Sequence, residues 1–193
     1  MKNLFIVLFL IFKDFPDFER ISSLNRYIYK LHASLLSLMP NKKVGKNVLI
    51  YKGFHFSLKM NMQIGDYTKI YPNVSVTGKN FSIGNHSAIF SDTEIDATSN
   101  VNIGSRVCIG HRVEIYSHVH HYEKKDTPIF RSPESDMPSS IEDDVLLYNN
   151  VKIMPGVSVK RGSIIGNSAV VFNNTVENGI YTGMPARLVS TRS

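Results

Sequence analysis

From Val44 onward an aliphatic residue returns at every sixth position, and this period constrains the fold of the 193-residue chain more tightly than any other feature. The clearest units begin at Ile64 ("IGDYTK"), Ile70 ("IYPNVS"), Val76, Ile83 ("IGNHSA"), Ile89, Ile95, Ile103 ("IGSRVC"), Ile109 ("IGHRVE") and Ile115. They resume at Ile141 ("IEDDVL"), Leu147 ("LYNNVK"), Ile153, Val159, Ile165 ("IGNSAV") and Val171 ("VFNNTV"), fifteen units in all. A period of six is too short for a helix pair and too regular for ordinary hairpins. It suits a parallel β-helix in which each unit supplies a short strand and a corner. The aliphatic side chain points inward and stacks on its counterparts above and below. Four places later stand Thr68, Val74, Ser87, Thr93, Ser99, Val107, Val113, Val145, Val151, Val157, Ser163, Ala169 and Thr175. All are small or β-branched, as a confined corner demands, and nearby Gly and Asn residues suit the turns.

The interruptions are as informative as the units. Steps of six hold from 64 to 76, then one extra residue precedes 83; two extra precede 103 and twenty precede 141. Every insertion follows the third unit of a set, so three units make one turn of a triangular prism and all insertions leave at one corner. The long insertion, residues 116–140, carries "SHVHH", three histidines in four positions. The expected organisation is a helical segment over 1–43, a β-helix over 44–178 with about five full coils and a partial first one, and a tail over 179–193.

Composition narrows the function. The 42% hydrophobic content suits a single globular domain. The one cysteine, Cys108, excludes an internal disulfide framework and a multi-thiolate zinc site, and fits the cytosol. A formal charge of +6 favours anionic partners such as phosphorylated cofactors or acidic sugars. The Lys and Arg residues are scattered and no nucleic-acid-binding signature is visible, so nucleic acid is not expected. The first twelve residues, "MKNLFIVLFLIF", form an apolar run too short to span a bilayer and lacking a cleavage site. A helix there and another over Ile21–Met39 are expected to pack on the domain's end or on a neighbour. Weak association of residues 1–12 with a membrane surface is the alternative to a purely cytoplasmic location.

With the repeat, the histidine loop, "IEDDVLLYNNVKIMPGV" and the closing "TGMPARLV", residues 44–190 resemble the hexapeptide-repeat acyltransferases. The resemblance is to the sugar O-acetyltransferase group that includes galactoside, maltose and polysaccharide acetyltransferases. It implies an all-β, left-handed parallel β-helix, a homotrimer with active sites between subunits, and acetyl-CoA lying along the groove between neighbouring prisms. It also implies direct transfer, without a metal or a covalent enzyme intermediate, to a sugar hydroxyl of a glycan, a bacterial surface polysaccharide or oligosaccharide being the expectation. A loop histidine is the implied general base. The chemistry fits independently, because imidazole, with an ordinary pKa of ~6.5, can take a proton from a hydroxyl as it attacks a thioester.

Counting from the "IG" pair at Ile103 puts that base at His120, the favoured candidate, whereas the local string "His, any, His" before an acidic residue points to His118 as the second. His121 is a further candidate for orienting the base or touching the acceptor, and Glu123 for holding the imidazole tautomer. The resemblance also implies acceptor contacts at Ser91 and Asp92 in "FSDTE". Tyr148 stands in "VLLY" where the family usually has "VWIG", which makes the acceptor side less transferable than the donor side. For acetyl-CoA the matching positions are Asn149, Gly166, Asn167, Phe172, Asn173, Pro185 and Arg187, with the Arg187 guanidinium placed to meet phosphates. Lys160, Arg161 and Arg192 could add positive field. Two other readings share the fold. One is N-acetyl transfer to an amino sugar or nucleotide sugar, though the residues before the repeats are too few for the usual nucleotide-binding domain. The other is a metal-dependent hydratase of the gamma-carbonic-anhydrase type, which would require His86 or His111 to converge on the loop histidines.

Overall fold

In a computed structural model describing residues 22–122, 125–126, 128, 130 and 132–192, the six-residue period folds into three parallel sheets wrapped around one core. The first sheet stacks Lys42–Val44, Asn61–Ile64, Asn80–Ile83, Val101–Ile103, Ser139–Ile141 and Ser158–Val159. The second stacks Leu49–Ile50, Lys69–Ile70, Ala88–Ile89, Cys108–Ile109, Leu146–Leu147, Ile164–Ile165 and Gly179–Thr182, and the antiparallel strand Arg187–Thr191 closes it. The third stacks His55–Phe56, Ser75–Gly78, Glu94–Ala97, Glu114–Ile115, Lys152–Ile153 and Val170–Val171. The registers pair unit with unit: Ile64 with Ile83, Ile103 with Ile141, Ile109 with Leu147, and Ile115 with Ile153. The chain is therefore a parallel β-helix, and its first coil, left partial by the sequence, is complete: Val44, Ile50 and Phe56 pair with Ile64, Ile70 and Val76. The segment after 178, read as a tail, contributes two strands.

The core is the column of unit-leading aliphatics, Ile70, Ile89, Ile109, Ile115, Leu147, Ile153 and Ile165 being fully buried. Burial of each such side chain contributes about 1.5–3 kcal/mol. The predicted corner residues are buried too, and the hydroxylated ones satisfy themselves by reaching across one coil. Thr68 donates to the Gly84 carbonyl (2.7 Å), Ser87 to Gly104 (3.0 Å) and Thr93 to Gly110 (3.0 Å). At the two corners without insertions the turn is made by the fourth residue of the unit in the left-handed region, including Tyr67, His86, Arg106 and Arg112 at φ between 53° and 58°. For side chains this bulky such a conformation is costly and persists only when the surroundings over-determine it. Here the coils on either side supply that constraint.

Helix α1, Ser22–Ser37, closes the open end of the prism. Tyr29, His32, Ala33 and Leu36 recur at helical spacing and are all buried, laid over the first coil. His32 Nδ1 lies 3.0 Å from the Ile50 carbonyl oxygen. The cap covers a core end that would otherwise face water. The expected helix over residues 1–12, and with it the membrane-surface reading, lies outside the described residues. Among the described residues no helix is long and apolar enough to cross a membrane.

Candidate active site

The long insertion leaves, as the repeat count requires, at the corner between the third and first sheets. Its described part is an antiparallel hairpin, His118–His120 against Glu134–Asp136, pairing His118 with Asp136 and His120 with Glu134. Two buried serines pin its base. Ser117 accepts the Ser99 amide at its hydroxyl (3.0 Å), and its carbonyl accepts Met137 N–H (2.9 Å). Ser139 donates to the Tyr116 carbonyl (2.6 Å) and accepts from the Gly156 amide (3.1 Å). Both strands of the hairpin are thereby fixed to the prism wall.

The two leading histidines differ sharply. His118 is four-fifths covered and its Nδ1 lies 2.6 Å from Asp96 Oδ2 on the coil below. Asp96 is itself held, its other oxygen accepting the Thr98 amide at 2.9 Å. Although the separation is short, Nδ1 is buried without a well-aligned hydrogen bond, so the contact is a close electrostatic one. Alignment of such pairs commonly tightens only with substrate in place. His120 is half exposed, with Nε2 3.6 Å from Glu134, and its ring meets that of His118 edge-on at 5.2 Å. His121 Nε2 sits 2.5 Å from the Ser135 hydroxyl, bracing the hairpin. Glu123 lies outside the described residues. The carboxylate that lies against a loop histidine is Asp96, which sequence reasoning missed. The signal was present: Ile95 stacks under Ile115, so an outward residue one place after Ile95 stands beneath the exit of the loop.

His118, His120 and Glu134 place potential ligand atoms within 4.8 Å of one another, enough to hold a zinc-class ion. Among the described residues, the convergence that the hydratase reading needed does not occur. His86 occupies the corner between the first and second sheets, stacked on Tyr67 (4.9 Å), and His111 the corner between the second and third.

Several other expected site residues gather at that last corner. Ser91 and Asp92 lie there, away from the histidine hairpin, and Asp92 takes a corner conformation (φ 62°) with its carboxylate accepting from Asn73 at 3.0 Å. Tyr148 is exposed beside them, one coil higher than His111. Asn149 and Asn167 form a ladder: Asn149 Oδ1 accepts the His111 amide (2.9 Å) and Asn167 Oδ1 accepts the Asn149 amide (3.1 Å). Gly166 donates its amide to Tyr181 (2.8 Å), which brings the turn bearing Pro185 and Arg187 over the same corner. Phe172 and Asn173 are exposed at the other corner, above the hairpin's exit. Of the basic residues, Lys160 is engaged by Glu142 (2.9 Å), Arg161 approaches Asp143 (3.5 Å) and Arg192 donates to the Gly162 carbonyl (3.0 Å). Arg187 is exposed and, among the described residues, donates only to its neighbour's carbonyl, which leaves its charge available.

A prism of six-residue units carrying an inserted histidine hairpin is a hexapeptide-repeat architecture, and the relatives it matches are named acetyltransferases. Residues 138–173 match the family model described as bacterial transferase hexapeptide (six repeats). The chain is 27% identical to the galactoside O-acetyltransferase of Escherichia coli, over 83% of this chain and 84% of that protein. It is 27% identical to an Escherichia coli protein named as a colanic acid biosynthesis acetyltransferase, WcaF, over 86% and 77%. A Schizosaccharomyces pombe protein named as an acetyltransferase is 30% identical over 57% of this chain, which spans about half (49%) of that relative. Among solved structures, the fold matches AntD, an N-acyltransferase from Bacillus cereus (TM-score 0.70, 21% identity, covering 78% and 83%). It also matches a hexapeptide-repeat acetyltransferase from Vibrio cholerae complexed with acetyl coenzyme A (TM-score 0.64, 20% identity, covering 98% and 86%).

Proposed function

We propose that the protein transfers the acetyl group of acetyl-CoA to a sugar hydroxyl of a glycan, with His118 as the general base and Asp96 as its orienting carboxylate. The observation that carries this reading is the 2.6 Å contact between His118 Nδ1 and Asp96. Once aligned with Nδ1, the Asp96 carboxylate would hold that nitrogen as the protonated one and leave Nε2 with the lone pair. Nε2 takes the proton of the acceptor hydroxyl as its oxygen bonds to the thioester carbonyl carbon. The tetrahedral intermediate collapses with loss of the thiolate of CoA, and the imidazolium returns the proton to sulfur. His120, half exposed and facing Glu134, has no comparable support, so the order between the two histidines tips to His118.

The donor is read onto the opposite corner of the third sheet, where Asn149, Gly166, Asn167, Pro185 and Arg187 stack, with Arg187 meeting the phosphates. In one chain this corner and the histidine hairpin are separated by the width of a sheet, which favours a site shared between copies. The outward positions of the second sheet supply a surface for that: Ala88, Cys108, Leu146 and Ile164 stack in register as a half-buried apolar column. A homotrimer packed through this face, acting in the cytoplasm on surface-glycan precursors, is the assembly we assign.

The test is release of free thiol from acetyl-CoA with a panel of glycosides and amino sugars. Hydroxyl acceptors are expected to support turnover and His118→Ala to lower it by at least ~100-fold, the usual contribution of a general base. Turnover confined to amino groups would replace O- by N-transfer and leave the fold assignment standing.

A further inference from the structure

Building on the glycan reading above, we infer that the acceptor is a chain of sugars rather than a single glycoside, held in an asparagine-lined groove that runs up the prism to the histidine hairpin. The three outer faces differ in chemistry. From Ala88 upward the second sheet turns an apolar column outward, with Lys69 in register on the coil below, and the third turns out charged residues such as Glu94, Glu114 and Lys152 in register. Above its first coil, where Lys43 stands in register with Gln63, the first sheet turns out uncharged polar side chains. Asn61 pairs with Asn80, and the pairing of Val101 with Phe81 sets Asn100 on the next coil of the same column. Beside it run Gln63, Ser82 and Asn102, also in register.

These two columns line an open groove of about 620 Å³, which includes Lys79 along one edge and Asp136 at its end. A second hollow, of about 420 Å³, shares Asn61 and Gln63 with it and continues the depression to the first coil. With coils ~4.8 Å apart, the three steps from the first coil to the fourth span roughly 14 Å, several times what one sugar ring needs.

Position ties this groove to the chemistry. Asn61, Asn80 and Asn100 stand at the start of their strands, beside the corner between the third and first sheets, which is where the hairpin leaves. Asp136, at the groove's end, is the cross-strand partner of His118, and directly paired residues of an antiparallel ladder project from the same side. Composition ties it to carbohydrate. An amide offers both donor and acceptor, the pair of functions a sugar hydroxyl presents, and a ladder of amides reads a repeating array of hydroxyls without demanding charge. The amides are partly committed to one another, Asn61 donating to Asn80 (2.8 Å) and Ser82 to Asn102 (2.7 Å), which holds them in place while leaving lone pairs and N–H groups for a ligand. Lys79 forms no ion pair among the described residues, so an acidic sugar in the chain would find a cation there.

The experiment compares kcat/KM of the purified enzyme, with acetyl-CoA saturating, for matched mono-, tri- and hexasaccharides of glucose, galactose, mannose, N-acetylglucosamine and galacturonate. For whichever series is acetylated, the hexasaccharide is expected to exceed the monosaccharide by about tenfold or more, equivalent to about 1.4 kcal/mol. Asn80→Leu and Asn100→Leu are expected to bring that ratio towards unity. Equal rates for short and long acceptors overturn the groove and leave the transfer reaction intact. A length preference that survives both substitutions overturns its location. Transfer to none of the sugars, short or long, overturns the glycan reading itself. The length dependence of the unsubstituted enzyme decides the first point even if a variant fails to fold.

Discussion

At the scale of single residues, the account turns on which charges are held and which are free. The trio of His118, His120 and Glu134 can capture a cation, and the captured nitrogen is then lost as a base. Added zinc is therefore expected to inhibit turnover reversibly, EDTA to restore it, and Glu134→Gln to weaken the inhibition; stimulation by zinc would contradict the proton-transfer role. On the third sheet the Lys152 ammonium and then the Tyr116 hydroxyl hold the Glu114 carboxyl below the usual carboxylate range. A depressed carboxylate contributes stability that is present above its unfolded pKa, near 4.5, and lost as pH falls through the lower folded value. Glu114→Gln is expected to flatten the acid limb of a melting-temperature profile below pH 4.5. The hydrogen bond to Glu114, and then burial, push Tyr116 up to about 12, so its share of stability is complete below its ordinary value of 10 and fades only as pH rises towards about 12.

At the scale of elements, the corners carry the strictest requirements. Gly78, which ends a strand of the third sheet at the insertion corner, has φ 108°, and a Cβ there would stand 2.1 Å from the Ala97 backbone. Gly78→Ala is expected to cost more than the ~1–3 kcal/mol of backbone strain alone, read as a lower midpoint in urea; a change within experimental error would show that the corner can relax. The strands and corner residues were legible in the sequence because a six-residue period leaves few geometries. The loop's exit corner was legible because every insertion falls after a third unit. Asp96 was not. It occupies an outward position of the kind usually filled by solvated residues, and only the stacking of Ile95 under Ile115 brings it to His118. Ser91 and Asp92 stand at the corner between the second and third sheets, beside Asn149 and Asn167, rather than beside the hairpin of the same chain. The strands after 178 escaped notice because Gly179–Thr182 and Arg187–Thr191 break the period.

At the scale of the whole molecule, three faces of one prism differ in chemistry: one carries an apolar column, one charged residues, and one amides that run up to the histidine hairpin. If copies pack through the apolar face, sedimentation will show a trimer, and Leu146→Glu will yield smaller species with activity reduced at least in proportion. A fully active monomer would dispose of the shared site. The central claim, however, rests within one chain, on the pairing of Asp96 with His118. Groups that act as a unit are non-additive, and a double-mutant cycle exposes this. The decisive measurement is kcat for acetyl transfer in His118→Ala, Asp96→Asn, the double variant and His120→Ala. The account predicts a loss of at least ~100-fold for His118→Ala, a smaller loss for Asp96→Asn, no further loss in the double variant, and a loss under ~10-fold for His120→Ala. Additive losses in the double variant, or a larger loss at His120 than at His118, would contradict it.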